Sequence, residues 1–85
     1  MRVKHPTDIG RCVRAVRKAQ GLRQDDLAAM VGASHVFLGD LERGKGTVQL
    51  GRVLDVLREL GIGLQLDLPA GIEEVPVSSS TNASE

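Results

Sequence analysis

Apolar positions along this chain recur three and four residues apart in four stretches and then change to an every-second-residue pattern. Ile9, Cys12, Val13 and Val16 mark the first stretch, opened by Pro6 and Thr7, with Thr7 expected to cap a helix, Asp8 in its first turn and Gly21 as its stop. After Leu22, the spacing predicts a short second helix over Gln24 to Val31. Its acids Asp25 and Asp26 suit the positive end of the helix, and Leu27, Ala28 and Val31 face inward. Gly32 is the turn. Ser34 is a good cap for a third helix reaching about Arg43, with Leu38 and Leu41 on its buried side and Gly44 as the stop. The fourth and most periodic stretch is expected to start from a Thr47 cap, with Leu50, Val53, Leu54, Leu57 and Leu60 as one continuous stripe ending at Gly61.

Beyond Gly61 the period is two: Ile62, Leu64, Leu66 and Leu68 alternate with Gly63, Gln65 and Asp67, the pattern of a strand with one apolar face, ended by Pro69. A single strand has no sheet to join in a helical domain this small, and its unpaired backbone groups would be costly beside an apolar face. It is expected to pair with its own copy. The rest is turn-rich and acidic, with a Ser-Ser-Ser-Thr run, and is expected to be disordered when free. The expected organisation is a helical domain over 1–61, a dimerisation strand over 62–68 and a tail over 69–85. The fold class is all-α, a bundle of four helices plus a C-terminal β-strand paired across a homodimer.

Composition narrows the function. The 85 residues allow one small domain, and Phe37 is the only aromatic residue, which argues against single-strand binders that stack bases on aromatic side chains. Cys12 has no second cysteine to pair with, and two separated histidines cannot complete a zinc site with it, so neither disulfide nor metal is expected to staple the core. No cofactor is implied. The zero net charge hides an asymmetry: through Arg58 eleven bases face six acids, whereas from Glu59 onward there are five acids and no base. A basic body with an acidic tail suits a polyanion partner. There is no apolar run near a membrane span and no signal-peptide stretch at the start, so the expected location is the cytoplasm. No Ser-His-Asp set, phosphate loop or paired carboxylates point to an enzyme.

Two short helices joined at Gly32, the second opening on small and polar residues, have the helix-turn-helix arrangement, in which the second helix lies in a DNA major groove. The residues are more specific than the spacing. Gly21-Leu22-Arg23-Gln24-Asp25-Asp26-Leu27-Ala28, Val31-Gly32-Ala33-Ser34 and Leu38-Gly39-Asp40-Leu41-Glu42-Arg43-Gly44-Lys45 resemble the Xre family of phage-repressor-like proteins over about residues 9 to 60. The Phe37-Leu38 pair, the single helix after Gly46 and the closing strand are similar to the HipB-type antitoxin branch, including the Y4mF-like group. That resemblance implies a homodimer that binds a palindromic double-stranded operator, represses its own operon and neutralises a HipA-type serine/threonine kinase toxin. A stand-alone Xre-type repressor without a toxin, or a protein-interaction adaptor, are the rival readings.

Carried over position by position, the resemblance puts Gln24 at the start of the second helix, where it would contact a phosphate and brace the recognition helix. Ser34, His35 and Val36 match the first recognition-helix positions: His35 would donate to a purine acceptor and Val36 would touch a thymine methyl, unless they are ordinary surface residues. Arg43 and Lys45 match a basic corner near phosphates, with solvated surface charge as the plain alternative. Arg17 and Glu42 match a partly buried structural salt bridge. Phe37 has two roles open, packing on the fourth helix or reaching the DNA backbone, and packing is favoured. Three positions depart from the family. Arg23 stands where a Thr or Ser cap is usual, which loses a cap and adds a cation able to reach a phosphate. Gly39 and Asp40 replace larger polar or basic residues, which loosens the recognition helix by about 1 kcal/mol and sets a negative charge where phosphate would repel it.

Overall fold

The computed structural model describes residues 1–76, which form four helices: α1 (Pro6–Ala19), α2 (Gln24–Met30), α3 (His35–Arg43) and α4 (Leu50–Leu60). Residues 77–85, and with them the whole Ser-Ser-Ser-Thr run of the expected tail, lie outside the described residues. The helix starts differ from expectation at two places. His5, not Thr7, is the cap of α1, with Pro6 at the first helical position; the missing Pro N–H leaves no donor unpaired there. Asp8 accepts from the N–H groups of Lys4 (2.8 Å) and His5 (3.0 Å), and these bonds hold its carboxyl below the ordinary range. Similarly, α4 starts after Gln49 rather than Thr47, because a turn at Gly46 and Thr47 first carries Val48 onto the core. Ser34 does cap α3, its Oγ accepting from the N–H of Phe37 at 3.1 Å, and Gly44 and Gly61 end α3 and α4 in the left-handed conformation.

Helix α3 packs on α1 and α2, and α4 packs mainly on α1, over a core of Val13, Leu27, Ala28, Leu38, Leu41, Val53, Val56, Leu57 and Leu60. The stripe expected on α4 needs correction: Leu50 is 67% exposed and Leu54 36%, whereas Val56 is fully buried. At about 100° per residue, Val53, Val56, Leu57 and Leu60 share one face, while Leu50 and Leu54 lie at its edge. Phe37 is half-buried and packs against the core.

Helices α1 and α3 approach more closely than side chains would allow. A Cβ on Gly10 would lie 2.5 Å from the Leu41 carbonyl oxygen and 2.6 Å from that of Glu42, both backbone atoms with nowhere to move. Gly44, at φ 85°, similarly sits against the backbone of Thr7, its notional Cβ 2.7 Å from the Thr7 Cα. Gly10→Ala is therefore expected to destabilise the domain by about 2 kcal/mol. Overpacking at the upper end of its usual range of about 1–3 kcal/mol outweighs the gain of about 1 kcal/mol in helix propensity. Urea unfolding measures this, and an unchanged or higher midpoint would mean that the two helices separate at little cost.

Among the described residues there is no strand. Ile62 is half-buried against the core, but Leu64, Leu66 and Leu68 are 51%, 79% and 41% exposed in the single chain. The expected strand thus leaves the bundle as a segment without regular structure and with three bare leucines. After it, a turn closed by Ile72 N–H donating to the Pro69 carbonyl at 3.3 Å is the last ordered feature described.

Candidate nucleic-acid interface

The α2–turn–α3 unit is fixed from beneath by a buried polar network. Arg17 of α1 donates from Nε (2.6 Å) and Nη2 (3.0 Å) to the two oxygens of Glu42 on α3, and from Nη1 to the Leu22 carbonyl at 2.7 Å. Side chains of this pair are 8% and 3% exposed. Gln24 adds a third hydrogen bond to the same carboxylate, Nε2 to Oε1 at 3.0 Å. Burial alone would push the Glu42 carboxyl up, yet the hydrogen bonds from Arg17 and Gln24 hold it below its ordinary value, and the Glu42 hydrogen bond raises Arg17 in turn. Among the described residues no buried side-chain polar atom lacks a hydrogen-bond partner. Gln24 at the first position of α2 therefore braces α3 through Glu42, with one amide proton left for an outside acceptor.

On α3 the spacing of Val36, Gly39, Asp40 and Arg43 puts these four on the face opposite Leu38 and Leu41. Ser34, His35 and Val36 at its N-terminal end are exposed, with Val36 at 59%. The basic corner is not bare. Arg43 Nη2 lies 2.7 Å from Asp40 Oδ1 and Lys45 Nζ 3.5 Å from Asp40 Oδ2. Arg23 likewise turns onto its own helix, its Nε 3.4 Å from both Asp25 and Asp26, while Asp26 accepts from the Arg23 N–H. All three cations among the expected site residues, Arg23, Arg43 and Lys45, are thus held by neighbouring carboxylates.

Two contacts had no signal in the local pattern. Arg52 of α4 reaches the turn between α2 and α3, its Nη1 donating at 3.1 Å to both the Val31 and Gly32 carbonyls, two acceptors left over at the end of α2. Gln20, just past α1, donates from Nε2 to the Leu60 carbonyl at 2.9 Å and joins the ends of α1 and α4. No helix among the described residues is long and apolar enough to cross a membrane, and no group of three or more metal-ligating side chains occurs among them.

Comparison with known proteins places this geometry. The helix-turn-helix family model matches residues 13–66, which include the end of α1 and all of α2 to α4. The HTH-type transcriptional regulator y4mF of Sinorhizobium fredii (strain NBRC 101917 / NGR234) is 52% identical over 68 residues, spanning 80% of this chain and 90% of that protein. Among solved structures, a chain of the HipA-HipB-O2-O3 complex and one of the HipB-O4 20mer complex each superpose with a TM-score of 0.72 at 21% identity, over 79% of this chain and 94% of theirs. The HipB likeness shows a shared four-helix fold, and the sequence match carries the kinship: this chain belongs to the helix-turn-helix family, as does the rhizobial regulator it resembles.

Proposed function

We propose that this protein is a cytoplasmic, sequence-specific double-stranded DNA-binding repressor that acts as a homodimer on a palindromic operator. The observation that carries this reading is the exposed N-terminal face of α3, Ser34, His35 and Val36, held on a helix whose far side is locked by the buried Arg17, Glu42 and Gln24 network. A braced helix with free polar and methyl groups at its start is what base-edge readout in the major groove requires. Dimerisation falls to Ile62, Leu64, Leu66 and Leu68, whose side chains beyond Ile62 are uncovered in the single chain. An inverted repeat with half-site centres about one helical turn, roughly 34 Å, apart then fits two recognition helices. The HipA-HipB complex among the structural neighbours supports a second partner, a HipA-type serine/threonine kinase toxin that this protein would neutralise. The rival reading, a stand-alone regulator without a toxin, is separated from it by co-purification with a kinase encoded beside it.

His35→Ala is expected to cost about 1–3 kcal/mol on the operator and relax preference at one base pair, while Lys45→Ala weakens binding to all sequences alike and flattens the salt slope by about one. Electrophoretic mobility shifts on operator and scrambled duplexes at several salt concentrations read both. If neither duplex is retarded by wild type at low salt, the DNA-binding reading fails and an adaptor role replaces it. Equal losses for both variants on both duplexes would refute the division between base and phosphate contacts.

A further inference from the structure

The outer face of α3 contains an arrangement that the family resemblance does not supply. Asp40 lies in the middle of that face, between Val36 and Arg43, and both of its carboxylate oxygens are taken by cations: Oδ1 by Arg43 at 2.7 Å and Oδ2 by Lys45 at 3.5 Å. Its side chain is only 23% exposed beneath them, while those of Arg43 and Lys45 remain 70% and 55% exposed. Gly39 belongs to the same arrangement. A Cβ there would lie 3.0 Å from Arg43 Nη1 and 3.6 Å from its Cζ, so the bare glycine provides the surface on which the guanidinium lies back toward Asp40. The unusual glycine and the unusual acid at adjacent positions thus have one common effect, to hold Arg43 against the helix.

Resting on the DNA-binding reading above, we infer that Asp40 is a built-in phosphate competitor that sets the ratio of specific to non-specific binding. A carboxylate at hydrogen-bonding distance from a guanidinium occupies the donors that a DNA phosphate would take. Random DNA offers only backbone phosphates, so a loosely docked protein must break the Asp40 contacts for each phosphate contact it makes. On the operator, base contacts from Ser34, His35 and Val36 bring the helix deep into the groove and offset that exchange. Asp40 therefore suppresses binding where base contacts are missing. Such a device matters because non-specific sites in a genome vastly outnumber specific ones.

Asp40→Asn removes the charge and keeps the shape. Titrated with a mixed-sequence duplex by fluorescence anisotropy between about 50 and 200 mM salt, it is expected to bind roughly three- to ten-fold more tightly than wild type at the low-salt end. Its log affinity against log salt should steepen by about one, the increment of one added phosphate contact. Gly39→Ala, whose Cβ displaces the Arg43 guanidinium by a few tenths of an ångström and so loosens its contact with Asp40, should move in the same direction by less, because Lys45 stays paired. Asp55→Asn is the control: Asp55 forms a similar three-apart ion pair with Arg58 on α4, at 3.1 Å, and its loss changes net charge by the same amount. The inference is overturned if Asp40→Asn matches wild type in affinity and slope, or gains no more than Asp55→Asn. Binding by wild type together with either result leaves the DNA-binding reading intact, whereas no binding by any of the proteins removes both.

Discussion

Glu42→Ala is expected to lower the stability of this domain by about 3 kcal/mol, a large share of the margin of so small a domain. The substitution strips both carboxylate bonds from Arg17, a side chain only 8% exposed in the intact protein, and it also removes the acceptor of Gln24. An unpaired buried cation is costlier than the pair was favourable, so the double variant Arg17→Met, Glu42→Leu should recover much of the loss. The same pair gives a pH dependence whose sign is fixed. Glu42 titrates below its ordinary value of 4.5 in the folded protein, so its stabilisation is complete above about pH 5 and is lost as pH falls through the folded value. Asp8, also lowered, acts in the same direction. Thermal melts should therefore be flat from neutral pH to about pH 5 and decline below it, with a shallower decline in Glu42→Gln. A melt of Glu42→Ala that coincides with wild type would mean that the pair has the small weight of a solvated one.

The double substitution Leu64→Asp, Leu66→Asp should yield a monomer. Full burial contributes about 1.5–3 kcal/mol per large aliphatic side chain, and in the proposed dimer these two leucines, half or more exposed in the single chain, would be covered by the paired copy. Four carboxylates close to a two-fold axis would also repel one another. The recognition helix lies elsewhere in the chain and keeps its fold. Affinity for random DNA should thus change little, while affinity for the operator falls by about 10²-fold or more as the second half-site becomes an independent binding event. Sedimentation that still detects a dimer would move the interface to other surfaces, with the exposed Leu50 and Leu54 of α4 as the next to test.

The readable parts of this molecule were those with more than one local signal. Helix α3 announced itself three times, in the Ser34 cap, the Leu38 and Leu41 spacing and the Gly44 stop, and all three hold. For α4 the Gly61 stop holds but the Thr47 cap does not, and periodicity locates a stripe without its centre, so the pattern favours Leu50 and Leu54 over the buried Val56. The Arg17 and Glu42 pair, 25 residues apart, came from family resemblance, since no spacing rule links residues across that distance. Arg52 and Gln20 bind backbone carbonyls, which carry no residue code, and were invisible. Gly10 did leave a trace. A glycine inside an otherwise regular helix costs about 1 kcal/mol and calls for a reason, here the α3 backbone against it. Similarly, the clamp on Asp40 was latent in bases three and five positions downstream.

Arg52 ties the helix-turn-helix corner to α4, and α4 passes into the 62–68 segment through the single residue Gly61, with Ile62 already seated on the core. No loop intervenes between α4 and Ile62. In a dimer joined through 62–68, the two reading heads would behave as the jaws of a fixed-gauge caliper rather than as weights on a cord. Such a tool loses little ordering entropy when the second jaw closes, which raises the local concentration of the second head at its half-site. It also measures one gap only. An operator whose halves are moved apart by a few base pairs would turn one half away around the DNA axis, and the rigid arms have no loop with which to follow it.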